Sequence, residues 1–302
     1  MTAEPAGADA PRVHVDADDD AAAYDVEGPA DGPAIVFVHG TRLSRAMWRP
    51  QMDALRDSYR VIALDLPGHG ALAEHPFTIV AAGDQVARVI EDTAGGPAVV
   101  VGLSLGGYVA MDLAARRPEL VRGLVLSGAS TEPVGGLAAP FLALAWAMET
   151  FDGPALDALN AWFFRTRFAP AVAEPIIAGG FWSAGGAQAL RAIVGKRFAP
   201  RLAAYPGPTL ILNGEFDPLF RLTVKRFAGA ARNGRRVRLR GATHLANLDR
   251  PGAFNLAIRR FVEGLQGPQT GRAGGPERGP VLDLATHSAS PDPHPPRFDA
   301  RP

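Results

Sequence analysis

The 302-residue chain has no cysteine, only two lysines (Lys196 and Lys225) and no net charge, with 31 basic side chains against 31 acidic ones. Without thiols there is no disulfide framework, no Cys-ligated metal centre and no cysteine nucleophile, so covalent chemistry falls to Ser, Thr, Lys, Asp or Glu. The missing basic excess argues against a polyanion-binding module, and no nucleic-acid partner is expected. Long apolar runs are also lacking. Residues 93–111 carry five glycines and residues 133–148 stop at 16 positions, short of the roughly 20 that a bilayer span requires. The first twenty residues are acidic and rich in Ala, without a basic n-region or an apolar h-region, so a cytoplasmic location is expected rather than secretion.

What is present is an alternation of buried strands and amphipathic helices. Residues 12–15 (RVHV) and 21–28 (AAAYDVEG), separated by an acidic turn, read as an antiparallel opening hairpin. The continuously apolar runs at 34–40, 61–66, 97–104, 123–130 and 208–214 read as strands buried on both faces of a parallel sheet. Helical patterns lie between them at 47–56, 79–92, 105–116 and 219–231. The fold class is therefore α/β, a doubly wound, mostly parallel sheet. From 133 to 204 no β run occurs, only helix-compatible pieces that hold Trp146, Trp162, Trp182 and seven of the fifteen Phe. This predicts a helical insertion after the sixth strand, with an apolar and aromatic inner surface. The core is assigned to 12–132 and 205–265. Residues 1–11 and 266–302 are expected to be disordered, the latter having eight Pro and five Gly in 37 positions.

Neutrality conceals a segregation of charge. Residues 1–33 hold nine acidic and one basic residue, whereas 205–265 hold eleven basic and four acidic. An acidic opening hairpin lying against the Arg-rich late strands is one consequence to test. The arginines at 232, 235, 236, 238 and 240 alternate with Val237 and Leu239. They are expected to mark a half-buried strand near the sheet edge, where charge discourages strand addition.

One motif carries chemistry. Gly102-Leu103-Ser104-Leu105-Gly106-Gly107 joins an apolar strand to a helix, and a serine on such a tight turn needs small neighbours because strand and helix backbones approach closely. A serine hydroxyl needs a base. Of seven histidines, His287 and His294 fall in the tail and His14 in the hairpin, while His39, His69 and His75 lie in early turns. His244 follows a late alternating strand and precedes the last helix, where a base can reach the top of the sheet. The carboxylate that would orient it is Asp217, just past the 208–214 strand, with Glu215 and Glu132 as competitors. Asp249, before Arg250-Pro251, reads as a helix cap.

His39-Gly40, Asp65-x-Pro67-Gly68-His69-Gly70, Gly102-x-Ser104-x-Gly106-Gly107, Asp217 and His244 together resemble the α/β-hydrolase superfamily in order and context. The resemblance extends over about residues 34–261, and 48–127 looks like its carboxylesterase and enol-lactonase branch. It implies a Ser104-His244-Asp217 triad, an oxyanion hole formed by the backbone N–H groups of Thr41 and Leu105, and a cap at 133–204. No cofactor or metal is implied. The expected activity is hydrolysis of a carboxylic ester, thioester or lactone through an acyl-enzyme. Carbon-carbon bond hydrolysis, acyl transfer or perhydrolysis with the same triad, and a ligand receptor of the same fold, remain open. An epoxide hydrolase or dehalogenase would carry Asp at position 104. The substrate is expected to be a small molecule with an apolar acyl or alcohol part, met by Trp146, Trp162, Phe163 and Trp182. Arg42 and Arg45 follow the oxyanion turn, where they could bind a substrate carboxylate, Arg42 being the candidate contact, or instead be solvated or tie down the loop.

Overall fold

The computed structural model describes residues 23–266 and 282–284. Five of its described strands coincide with the continuous apolar runs. β1 (Tyr24–Glu27) and β2 (Ala34–Val38) precede α1 (Arg49–Leu55), and β3 (Arg60–Leu64) precedes α2 (Ile79–Thr93). β4 (Ala98–Leu103) runs directly into α3 (Leu105–Arg116), and β5 (Val121–Ser127) follows. Five helices come next: α4 (Ala139–Phe151), α5 (Pro154–Arg167), α6 (Pro170–Ala178), α7 (Ser183–Ile193) and α8 (Ala199–Ala204). The chain returns to the sheet with β6 (Pro208–Gly214), α9 (Pro218–Arg221), α10 (Val224–Ala230) and β7 (Asn233–Leu239). α11 (Ala246–Asp249), α12 (Pro251–Gln266) and β8 (Leu282–Leu284) complete the described elements.

The strand order is β1-β3-β2-β4-β5-β6-β7-β8, with β1 antiparallel to β3 and the remaining pairs parallel. Because side chains alternate along a strand, each run feeds two cores. Val36, Val38, Val100 and Leu126 pack with α2 and α3. Ile35, Phe37, Val101 and Val125 face the other way, toward α1 and α12. There Trp48, with no exposed surface, sits between Phe37 and Phe254 at ring-centroid distances of 4.9 and 6.1 Å.

The helical insertion leaves the sheet after β5, which is the sixth strand when the expected strand at 12–15 is included; residues 12–15 lie outside the described ones. α4 packs on α7, α8 packs on α3, and α6 meets the short turn Arg45–Trp48. The insertion touches the loops at the carboxyl ends of the strands. A Cβ on Gly185 would collide with the Gly68 backbone, and Thr41 Oγ1 donates to Gly186 O at 3.2 Å.

Four expectations need correction or division. The 219–231 helix is broken into α9 and α10, because the Leu219 and Phe220 carbonyls accept from the Thr131 and Ser130 hydroxyls at 2.7 and 2.6 Å instead of continuing the ladder. The late Arg-rich strand does accept another strand: β8 pairs with β7 and sets Asp283 opposite Arg238 in register. The tail expected to be disordered thus contributes a strand where Leu282, Asp283 and Leu284 restore alternation. The rest of 267–302, like residues 1–22, lies outside the described residues. Finally, β1 and β7 lie toward opposite flanks of the sheet. The acidic side chains of β1 instead meet the early arginines: Glu27 contacts Arg49 and Arg56, and Asp25 contacts Arg45 at 3.2 Å. The Arg49 hydrogen bond, reinforced by Arg56, holds the Glu27 carboxyl down at about 2.

Candidate active site

Ser104 lies between β4 and α3 with φ 52° and ψ −115°, a conformation that L-residues rarely occupy and that costs about 1–3 kcal/mol. The surroundings enforce it. Ser104 N–H donates to Ser127 O at 2.8 Å, and Ser104 O accepts from Gly107 N–H at 2.9 Å. A Cβ on Gly102 would strike the Gly106 backbone, and one on Gly106 would strike the Val38 carbonyl. Both glycines are therefore needed for close approach of β4, α3 and the end of β2.

The residue just past β5 packs against the candidate base. Gly128, at φ 56°, lies beneath the His244 ring, and a Cβ there would stand 2.7 Å from Cε1 and 2.9 Å from Nδ1. The ring also stacks on Phe220 with centroids 4.9 Å apart. Consecutive residues Ser127 and Gly128 thus touch the serine backbone and the imidazole. His244 Nδ1 is 2.9 Å from Asp217 Oδ2. Asp217 begins α9, yet its carboxylate makes no capping hydrogen bond, so a buried acceptor is directed at the imidazole. The competing carboxylates are occupied elsewhere. Glu132 accepts from the Phe198 and Ala199 amides, both at 2.9 Å, and Glu215 accepts from Gly241 N–H at 3.1 Å. Asp249 holds Thr243, immediately before His244, through its amide and hydroxyl at 2.7 and 2.6 Å, and it takes Arg167 at 2.6 Å. It steadies the loop that carries His244 rather than capping a helix, a role that sequence reasoning missed.

Thr41 lies on a turn locked by histidines. His39 Nε2 accepts from Leu66 N–H at 3.0 Å, and His69 Nε2 accepts from Arg42 N–H at 3.3 Å. Because the backbone amides are donors, each ring must carry its proton on Nδ1, which donates to Gly40 O from His39 and to Pro67 O from His69. Burial pushes His39 down to about 4; burial and the neighbouring His39 push His69 down to about 3. Both are neutral supports for the turn. Asp65 completes the frame, accepting from Ala71 N–H at 2.9 Å and from the Arg45 amide at 2.8 Å while pairing with its guanidinium. Arg45 is thereby engaged with Asp65 and Asp25. Gly40 N–H meets Met47 Sδ and Arg42 N–H meets His69, with Thr41 between them; Leu105 opens α3, where the helix dipole favours negative charge.

The sequence profile of the alpha/beta hydrolase family matches residues 35–257. The chain belongs to that family. A pimeloyl-(acyl-carrier protein) methyl ester esterase of Neisseria meningitidis serogroup C is 43% identical over 115 residues, 36% of this chain and 43% of that protein. The aligned part therefore spans less than half of that relative. 3-Oxoadipate enol-lactonase 1 of Acinetobacter baylyi is 25% identical over 259 residues, 80% of this chain and 92% of the relative. The solved structure of a thermophilic esterase from Thermogutta terrifontis is similar with a TM-score of 0.67 at 26% identity, covering 81% of this chain and 94% of the other. Among the described residues, no helix of this family member is long and apolar enough to cross a membrane.

Within the α/β-hydrolase frame the remaining candidates occupy different settings. Trp182 is a strut: its backbone N–H donates to Arg42 O at 2.8 Å and its indole N–H to Gly179 O at 2.9 Å. Trp146 and Trp162 are 57% and 63% exposed, and Trp146 packs edge-on against Phe151 of its own helix. Phe163 contacts Phe164 and Phe168. The buried aromatic side of the insertion is instead supplied by residues such as Phe141, Phe164 and Phe198. Arg42, at φ 66°, keeps Nε and Nη2 buried without a partner among the described residues. Burial pushes its guanidinium pKa down, while the Asp157 and Asp152 carboxylates oppose that shift. A buried unpaired polar donor costs on the order of 1–3 kcal/mol, and more where charge is involved.

Proposed function

We propose that the protein is a serine hydrolase that cleaves a carboxylic ester, thioester or lactone by way of an acyl-enzyme. The observation that carries this reading is the buried Asp217 carboxylate on His244 Nδ1, with the ring packed on Gly128, the residue after the Ser127 carbonyl that accepts from the amide of Ser104, itself held at positive φ. The family membership and the ester- and lactone-cleaving names of two relatives support it.

In the proposed reaction His244 Nε2 takes the Ser104 hydroxyl proton as Oγ attacks the acyl carbonyl. Asp217 keeps the imidazole in its Nδ1–H form and stabilises the imidazolium. The tetrahedral oxyanion is received by the Thr41 and Leu105 amides, the latter at the positive end of α3. The intermediate collapses, the alcohol leaves with the proton from His244, and the acyl group stays on Ser104. Water, deprotonated by His244, then releases the acid and restores the serine. No cofactor enters this sequence. The helices between 133 and 204 serve as a cap over the site, with Trp182 fastening it to the oxyanion turn and the exposed Trp146, Trp162 and Phe163 offering apolar contact to the substrate.

Reaction with a fluorophosphonate probe tests the nucleophile. Labelling of the wild-type chain and none of Ser104→Ala is expected, after which esters, thioesters, lactones and 1,3-diketones, with and without an alcohol acceptor, identify the bond cleaved and the second-step acceptor. Absence of labelling in the folded wild type would overturn the assignment.

A further inference from the structure

Arg42 stands where the core and the insertion meet, and its backbone has little freedom. His69 takes its N–H, Trp182 supplies a donor to its carbonyl, and its φ of 66° is held between them. The stem runs against α7: a Cβ on Gly186 would lie 2.8 Å from Arg42 Cγ. The turn also meets the nucleophile, since a Cβ on Gly40 would stand 3.7 Å from Ser104 Cβ. The guanidinium therefore belongs to the same rigid turn that brings Thr41 to the proposed oxyanion.

Nε and Nη2 form the side-on fork of a guanidinium, two parallel donors matched to the two oxygens of a carboxylate. At two other arginines that fork is filled by a carboxylate. Arg165 holds Glu174 at 2.8 and 3.0 Å, and Arg191 holds Glu149 at 2.7 and 2.5 Å. At Arg42 both atoms of the fork are buried and neither has a partner among the described residues. On α5, Asp157 Oδ1 and, three residues on, Asn160 Nδ2 are buried and unpartnered as well. Asp157 attracts the guanidinium without hydrogen-bonding to it. A neutral amide offers one acceptor oxygen to such a fork, whereas a carboxylate offers two and carries the matching charge.

We propose that Arg42 anchors a free carboxylate on the substrate, so that the ester or lactone cleaved at Ser104 is itself an acid, such as the half-ester of a dicarboxylic acid. Arg42 is then the residue that sets specificity for that class. This inference rests on the serine hydrolase reading for its reaction but not for its binding.

The test pairs the monomethyl esters of succinic, glutaric and adipic acids with the methyl esters of the matching ω-carboxamides. Wild type is expected to favour the acid at least tenfold in kcat/KM for the best chain length, through KM. Arg42→Gln should bring the acid-to-amide ratio close to one and Arg42→Lys should recover part of it; the ratio cancels any general loss from disturbing the oxyanion turn. In parallel, calorimetry with glutarate and adipate should show binding to wild type that Arg42→Gln weakens at least tenfold. No acid preference in wild type, a preference for the amide, or equal loss on both esters in Arg42→Gln would overturn the proposal, the last leaving Arg42 as a latch to α5. If the Arg42 variants do not fold, competition settles it in wild type: glutarate or adipate must inhibit turnover of methyl butyrate more strongly than its monoamide. Failure of Ser104 labelling with dicarboxylate binding intact would instead remove the hydrolase reading and leave the carboxylate site standing.

Discussion

The loops at the carboxyl ends of the strands, which hold the proposed catalytic residues, and the helical insertion after β5 are built on different terms. At the sheet edge, Asp65, His39, His69 and Asp249 each have partners that fix a backbone turn, and Ser104 is held at positive φ between Gly102 and Gly106. In the insertion, Trp146, Phe151, Leu159 and Trp162 are all more than half exposed, and Asp157 and Asn160 have buried atoms without partners. Under the proposed function, the contrast separates chemistry from recognition. Groups that move a proton must be held to within a fraction of an ångström by their surroundings, while a surface that meets the substrate can leave its contacts to be completed on binding.

The largest expected effect breaks the rigid side. Ser104→Ala or His244→Ala should lower kcat for a good ester on the order of a million-fold, because members of a triad act as a unit. Asp217→Asn should cost about ten-thousandfold by presenting the wrong imidazole tautomer. Burst kinetics and steady-state rates measure both, and an Asp217→Asn enzyme within tenfold of wild type would return the role to another carboxylate. Next in size is the core beneath the site. Trp48→Ala removes a fully buried indole from between Phe37 and Phe254 and should cost about 3–5 kcal/mol, seen as a lowered chemical-denaturation midpoint.

Acid should loosen the same frame before it protonates the carboxylates. His39 and His69 titrate near 4 and 3 when folded, against 6.5 when free. The unfolded chain therefore binds more protons over that interval, and stability falls as pH drops below about 6.5. With about 1.4 kcal/mol per pH unit for each histidine well below that value, the loss from pH 7 to 5.5 is roughly 2–3 kcal/mol. Glu27, lowered from 4.5 to about 2, adds its share only below pH 4.5. Denaturation midpoints across pH 7 to 5.5 check this, and His39→Gln should flatten the slope whatever it does to stability at pH 7. An onset at pH 4.5 instead would mean that the histidines are exposed in solution.

The sheet and the nucleophile turn were legible in sequence because each depends on one kind of pattern. A buried parallel strand is apolar at every position, as at Ala34–Val38, and only glycine fits where β4, α3 and Val38 meet. Asp217 and His244 were readable by position, but their exclusive pairing was not, since it depends on Glu132 being taken by the start of α8 and Glu215 by Gly241. The break between α9 and α10 was hidden because hydroxyls from Ser130 and Thr131, about ninety positions away, capture the helix carbonyls. The role of Asp249 was hidden for the opposite reason: its partner Thr243 is close in sequence, and a helix cap explains an Asp before Arg-Pro equally well.

The smallest expected effect sharpens the contrast most, because it uses one residue type on both sides. Trp162, on α5, is 63% exposed, whereas Trp48 is fully buried. Trp162→Ala should change stability by no more than about 0.5 kcal/mol, as for other surface positions away from buried contacts. If its ring meets the substrate, the variant should raise KM for long-chain apolar esters over short-chain ones with an unchanged denaturation midpoint. A midpoint loss like that of Trp48→Ala would show that the insertion face is covered in solution, and the proposed division between fixed catalytic loops and an open recognition surface would have to be redrawn.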